Sequence, residues 1–151
     1  PYHTIIPALI TDALTGELAY SMGNMGGFMQ PTGHLQHFFN LVLFGSSPQQ
    51  SLDFPRICLS PHPDFKHLDR GLGSGGPVST PVTLVSVEED MPLQVVDGLR
   101  SLGHDVQVVS GMDRALFGRG QIIRKRKLPN GGVLYSAGSD KRGDGCATPL
   151  V

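Results

Sequence analysis

The residues with the clearest chemical potential are Gly23-Asn24-Met25-Gly26-Gly27-Phe28, because adjacent glycines can present consecutive main-chain donors to one point. Glycine reaches dihedrals closed to other residues, so the N–H groups of Gly26 and Gly27 can face one cavity. There they would bind a developing negative charge. The same pair also suits a plain strand-to-helix turn in which glycine only relieves crowding.

Other motifs carry less chemistry than they first suggest. Gly71-Leu72-Gly73-Ser74-Gly75-Gly76 fits the dinucleotide pattern, but that pattern needs a helix starting within it, and Pro77 and Pro81 rule the helix out. His34 and His37 are spaced to share a helix face and could hold a metal. No cysteine or carboxylate completes a zinc set, so they read as solvated or core histidines, and no metal is expected. Arg124-Lys125-Arg126-Lys127 lacks interleaved aromatics and reads as a solvated edge strand that resists edge pairing, rather than as a nucleic-acid patch.

Composition sets independent limits. A chain of 151 residues, 39% hydrophobic, can bury the core of a single domain, and a formal charge of −1 gives no field for nucleic acid or an anionic membrane. There is no apolar run of the ~18 residues that a membrane-crossing helix needs. Cys58 and Cys146 are too few to indicate a compartment and are taken as reduced; the compartment stays open. Nothing implies a cofactor.

The elements that must position the glycines follow from local patterns. Two apolar stretches, 3–12 and 17–22, flank Ala13-Leu14-Thr15-Gly16 and suit a hairpin that feeds into the glycine pair. A helix is predicted over 33–44, with Leu35, Phe38, Phe39 and Val42 at helical spacing and Gln36, His37 and Asn40 as a narrow polar stripe. Ser47-Pro48-Gln49-Gln50 is a capping-box start for a short helix that Pro55 ends. A strand at 56–59, an exposed loop at 60–81, a strand at 82–88, a helix at 92–102 and a strand at 105–109 follow. The last unit is a hairpin, 120–127 with 133–137, around Pro129-Asn130-Gly131-Gly132. Mixed strands and helices with two hairpin signals give an α+β class with largely antiparallel sheet.

The order of several blocks resembles the C-terminal part of the small subunit of the gamma-glutamyltranspeptidase family of N-terminal-nucleophile hydrolases. The blocks are residues 1–7, Gly23 to Gly27, Pro48 to Arg56, Phe117-Gly118-Arg119-Gly120-Gln121, and Ala137-Gly138-Ser139-Asp140 with Arg142-Gly143-Asp144-Gly145. The resemblance implies that residues 1–151 are one piece of an αββα four-layer sandwich, contributing late strands and covering helices. Separated from upstream strands, such a piece is expected to leave sheet edge and apolar surface exposed. In this family an N-terminal threonine released by self-cleavage is the nucleophile. No threonine here has a Thr-Thr-His-like or Thr-Thr-Asn-like context. The nucleophile is therefore expected from an upstream segment, and the fragment alone should be inert.

By the same resemblance Gly26 and Gly27 donate to the oxyanion. His3 and Thr4 stand where the transpeptidases carry two serines that hold the α-carboxylate of the glutamyl donor. Threonine keeps a hydroxyl donor, and histidine offers a larger ring that donates to a carboxylate. A strand-end histidine with a satisfied hydrogen bond is the alternative for His3. The change suits hydrolase or acylase branches that accept other γ-glutamyl or dicarboxylate-like acyl groups. Asn24 and Met25 line the site by position, unless Asn24 merely turns the chain. Ser139, Asp140, Arg142 and Asp144 match a Gly-Ser-Asp-x-Arg block, with Lys141 in place of the usual proline, and read as a polar network pinning the C-terminal segment. The implied partners are the upstream segment and large subunit of the same precursor, and an acyl small molecule.

Two other readings stay open: Pro1 as the general base of a tautomerase, and a catalytically dead domain that binds an acyl ligand.

Overall fold

The computed structural model describes residues 4–62 and 83–149. Pro1, His3, most of the expected loop at 60–81 and the glycine motif at 71–76 lie outside the described residues.

β1 (Ala8–Thr11), β2 (Leu18–Asn24), β6 (Gly120–Lys127) and β7 (Val133–Ser139) form an antiparallel sheet in the order β1-β2-β6-β7. The turn between β1 and β2 is closed by Asp12, whose carboxylate accepts from the Leu14 and Thr15 amides and from the Thr15 hydroxyl. A second sheet contains β3 (Ile57–Pro61), β4 (Thr83–Glu88) and β5 (Asp105–Val109), with β3 antiparallel and β5 parallel to β4. The crossover into β5 is α3 (Leu93–Ser101), which buries Val96 against Val85, Val87 and Val106.

α1 (Met29–Phe38), extended by a π-helical turn (Phe39–Leu43), packs against β2 of one sheet and β3 of the other, and α2 (Pro48–Asp53) follows it. The capping box forms: the Gln50 amide donates to the Ser47 hydroxyl at 3.2 Å, and the Ser47 amide donates to the Gln50 side chain at 2.9 Å. α2 lies across β6 and β7, so close to Gly138 that a Cβ there would meet the Gln49 amide nitrogen at 2.8 Å. Leu52 of α2 joins Tyr20, Met22, Leu41 and Ile122 in the main apolar core.

The structure corrects several expectations. The first helix begins at Met29, one turn before 33, because Gly26 and Gly27 already start the helical hydrogen bonding. Its buried row is Met29, Gly33, His37 and Leu41, whereas Leu35, Phe39 and Val42 are exposed. The polar stripe faces inward because it packs against buried polar groups rather than an apolar core. β6 is an interior strand, so the basic run is not at an edge; Arg124 stacks over the Tyr20 ring and Lys127 pairs with Glu17. A 3-10 helix, Gly111–Phe117, was not anticipated. On α3, Val96 is buried, whereas the C-cap residue Leu102 is exposed. Among the described residues, Leu9, Ile123 and Tyr135 are exposed on the face of the four-stranded sheet that points away from α2.

Candidate functional site

Strand alternation sets the site. Tyr20, Met22 and Asn24 share the buried face of β2, and β2 ends with Asn24 opposite Gly120 of β6. The Met25 amide extends the ladder by donating to the Arg119 carbonyl at 3.1 Å. The chain then turns sharply through Gly26, at φ 123°, and Gly27, at φ 59°, both values that favour glycine. Gly26 also packs tightly: a Cβ there would lie 3.0 Å from Gly118 Cα.

Each carbonyl in the turn is held. The Asn24 side-chain amide donates to the Met25 carbonyl at 2.9 Å, the Met29 amide to the Gly26 carbonyl at 3.0 Å, and the Gln30 amide to the Gly27 carbonyl at 3.1 Å. A trans peptide is planar, with its N–H opposite its C=O, so fixing one end aims the other. The Gly26 and Gly27 N–H groups have no hydrogen-bond partner among the described residues. Gly26 is half-buried and Gly27 exposed. They precede α1, whose first turn holds no acidic residue and whose N-cap, Phe28, makes no side-chain cap. The positive end of that helix is therefore open to an anion.

Thr4 is tied to the same turn. Gln30, in the first turn of α1, donates to the Thr4 carbonyl at 2.8 Å and accepts from the Ile6 amide at 3.0 Å. Thr4 is exposed, as is Met25, so both are accessible. Asn24 is not. Its side chain is buried, its oxygen accepts from Arg56 at 3.1 Å and contacts His37 Nε2 at 3.3 Å, and its nitrogen is spent on main-chain carbonyls. Period-two alternation turns the Asn24 side chain inward, away from the exposed side where Met25 lies.

Beneath the turn lies a polar core. Arg56 reaches Asp140, Asn24 and the Phe117 and Leu52 carbonyls. Arg142 bonds Glu88 and Asp140, with Leu52 and Phe54 carbonyls beside it. Asp140 also accepts from the Gly120 amide at 2.7 Å. Burial pulls the Asp140 carboxyl upward, but Arg56 and the Gly120 and Arg142 amides hold it below the usual range. Burial also lowers the Arg56 pKa, reinforced by the neighbouring Arg142 and opposed by Asp140.

The two histidines act in this core. His34 Nε2 accepts from the Asn24 amide at 2.9 Å. Burial first, and then Arg56, push the His37 pKa down to about 3, so its ring is neutral near pH 7. Because the Asn24 oxygen can only accept, the His37 proton belongs on Nε2, leaving Nδ1 to accept from Ser51 at 3.2 Å.

Of the expected polar block, Asp140 and Arg142 join the network, Ser139 accepts from the Gln121 side chain and Asp144 is exposed, while Arg56, Glu88 and His37 were missed as members. The sequence signal was available only in part: Arg56 sat within a matched block without an assigned role. Among the described residues, no group of three or more His, Cys, Asp or Glu is placed to hold a metal ion.

The model of the family described as Gamma-glutamyltranspeptidase matches residues 1–150. The chain belongs to the gamma-glutamyltranspeptidase family. This family member is 30% identical over 147 residues to the oxamate amidohydrolase proenzyme of Klebsiella pneumoniae subsp. pneumoniae, covering 97% of this chain and 24% of that protein. It is 36% identical to the cephalosporin acylase of Bacillus halodurans, with a TM-score of 0.68 over 95% of this chain and 22% of the acylase. A variant of Helicobacter pylori gamma-glutamyltranspeptidase gives a TM-score of 0.70 at 17% identity, covering 95% of this chain and 63% of that one, and so shows the fold. The chain spans about a quarter of the length of the first two relatives. Its mixed α and β architecture is that of N-terminal-nucleophile hydrolases. Among the described residues no helix is long and apolar enough to cross a membrane.

Proposed function

We propose that this gamma-glutamyltranspeptidase-family chain supplies the oxyanion donors and part of the acyl-binding surface of an amide hydrolase or acyltransferase. Its nucleophile would be the N-terminal threonine of an upstream segment of the same precursor. The observation that carries this reading is the pair of amides, Gly26 and Gly27, that have no hydrogen-bond partner among the described residues and stand at the N-terminus of α1. When the threonine hydroxyl attacks an acyl carbonyl, the oxygen gains negative charge. Donors already fixed in place stabilise it without reorganisation, and each is worth about 3 kcal/mol.

The acyl group would extend toward Thr4, whose hydroxyl can donate to a distal carboxylate, with His3 beside it in sequence. Met25 would line the exposed side. Hydrolysis of amides of compact, dicarboxylate-like acids is favoured over transfer from glutathione-like donors. Support comes from His3-Thr4 in place of two serines. It comes also from 30–36% identity to an amidohydrolase and an acylase, against 17% to the transpeptidase.

The test uses the full-length protein with oxamate, a glutaryl amide and a γ-glutamyl anilide, following release of ammonia or aniline. Turnover of the first two above the third supports the hydrolase reading. Gly27→Ala, with its N–H forced off the favoured direction by a positive φ, should lower kcat about 10–100-fold. An unchanged kcat in this variant would overturn the oxyanion assignment.

A further inference from the structure

We propose that Asn24 is a positioning residue for the Gly26 N–H, itself oriented by Arg56 and by a buried relay in which His37, backed by Ser51, donates to its oxygen. The inference rests on the oxyanion reading of Gly26 and Gly27 and extends it to how one of those amides is aimed.

The Gly26 N–H belongs to the Met25–Gly26 peptide, and the carbonyl at the far side of that peptide receives the Asn24 amide at 2.9 Å. Rotation of this peptide would swing the N–H away from any common point with Gly27, so the Asn24 bond is an orientational lock. The lock works only if the Asn24 amide presents nitrogen, not oxygen, to Met25. Flipping it would set two oxygens against each other, and two contacts prevent that. Arg56, which can only donate, bonds the Asn24 oxygen at 3.1 Å, and His37 Nε2 faces the same oxygen at 3.3 Å.

With that oxygen fixed by Arg56, His37 carries its proton on Nε2, and the Ser51 hydroxyl, able to donate or accept, donates to Nδ1 at 3.2 Å. His37 and Ser51 are almost wholly buried, so water does not compete. Packing holds the assembly: a Cβ on Gly33 would lie 2.8 Å from the Asn24 side-chain nitrogen, and one on Gly120 would lie 3.2 Å from its oxygen. The wall behind the catalytic turn is thus built around one amide.

The experiment measures kcat, KM and thermal midpoint in the full-length protein acting on the amide it hydrolyses best. Asn24→Asp replaces the donating nitrogen with an oxygen at nearly constant shape. It should lower kcat about 10–100-fold with KM within about twofold, as expected for a misaligned group that acts mainly in the transition state. His37→Leu should lower kcat in the same way, and His37→Gln, which can still donate to Asn24, should recover most of the loss. Should Asn24→Asp fail to fold, the histidine pair decides. Equal kcat in His37→Leu and His37→Gln overturns the relay. Wild-type kcat in folded Asn24→Asp, in a protein where Gly27→Ala is impaired, overturns the positioning role alone. If Gly27→Ala is also unimpaired, the oxyanion reading fails and takes this inference with it.

Discussion

Arg56 and Asp140 form an almost fully buried ion pair across 84 residues of sequence, one lying just before β3 of one sheet and the other just after β7 of the other sheet. Arg142 and Glu88 complete the cluster, so that positive and negative charges balance. The arrangement joins the sheets through charge, beside the apolar packing of Met29 of α1 against Cys58, Val109 and Phe117. Burial of such groups is tolerable only when each is paired, and removing one partner strands the others.

Asp140→Ala should therefore destabilise the full-length protein by about 3–5 kcal/mol, because Arg56 and the Gly120 amide lose their acceptor together. Urea unfolding followed by circular dichroism would measure it. A loss below about 1 kcal/mol, the range of an exposed pair, would mean that the cluster is solvated in solution.

Acid should weaken the fold through His37. Its folded pKa is depressed to about 3 by burial and by Arg56, with Asp140 opposing and His34 reinforcing. In the unfolded chain the ring titrates near the usual value of about 6.5, so only the unfolded state gains a proton between these values. Stability attributable to the neutral ring is complete above pH ~6.5 and falls by about 1.4 kcal/mol per unit as pH drops toward 3. His37→Gln should flatten that slope. A variant whose unfolding free energy keeps the wild-type slope between pH 6 and 4 would show that His37 is protonated in the folded protein.

How far these features could be read from residues alone differs by type of signal. Turns and caps were legible because they depend on neighbours: Ser47 and Gln50 form their capping box, and the hairpin around Gly131 closes where the Asn-Gly pair predicts. Strand order was not, because hydrogen bonding between β2 and β6 joins residues about a hundred positions apart, and so the basic run was placed at an edge. The inward turn of Asn24 was available in principle, since alternation from Tyr20 and Met22 leads straight to it. The polar stripe of α1 misled for a related reason. Helical spacing shows which residues share a face, but not whether that face meets an apolar core or a buried arginine.

Gly118 gives a sharper test of the packing beneath the glycine turn. At φ 67° and ψ −165° it occupies a region essentially confined to glycine, and an added Cβ would fall 1.7 Å from the Met25 carbonyl oxygen. Gly118→Ala must displace the very carbonyl that Asn24 holds. A stability loss of at least about 1–3 kcal/mol from strain should accompany a fall in kcat. Gly131→Ala is the matched comparison, since its φ is also positive, at 82°, but its Cβ would meet nothing within 4 Å. It should cost about 1 kcal/mol with no kinetic effect. Equal kinetics in the two variants would show that the turn does not depend on Gly118.

Gln30 should control substrate affinity more than turnover. Its side chain spans from the first turn of α1 to the Thr4 carbonyl and the Ile6 amide, so it sets where the Thr4 hydroxyl stands relative to Gly27. Thr4 would hold a remote carboxylate in ground state and transition state alike, and loss of such uniform binding raises KM while leaving kcat nearly unchanged. Gln30→Ala should raise KM about 5–20-fold, in line with about 1–2 kcal/mol for losing two neutral hydrogen bonds of about 0.5–1.5 kcal/mol each. Gln30→Glu keeps the acceptor for Ile6 but puts a carboxylate oxygen against the Thr4 carbonyl, so it should be worse than alanine. Thr4→Val removes the hydroxyl directly and should match or exceed the Gln30→Ala effect. Steady-state kinetics on all three would settle the order. A fall in kcat with constant KM would instead place the 4–6 segment in the chemical step and displace Thr4 from the acyl-binding role.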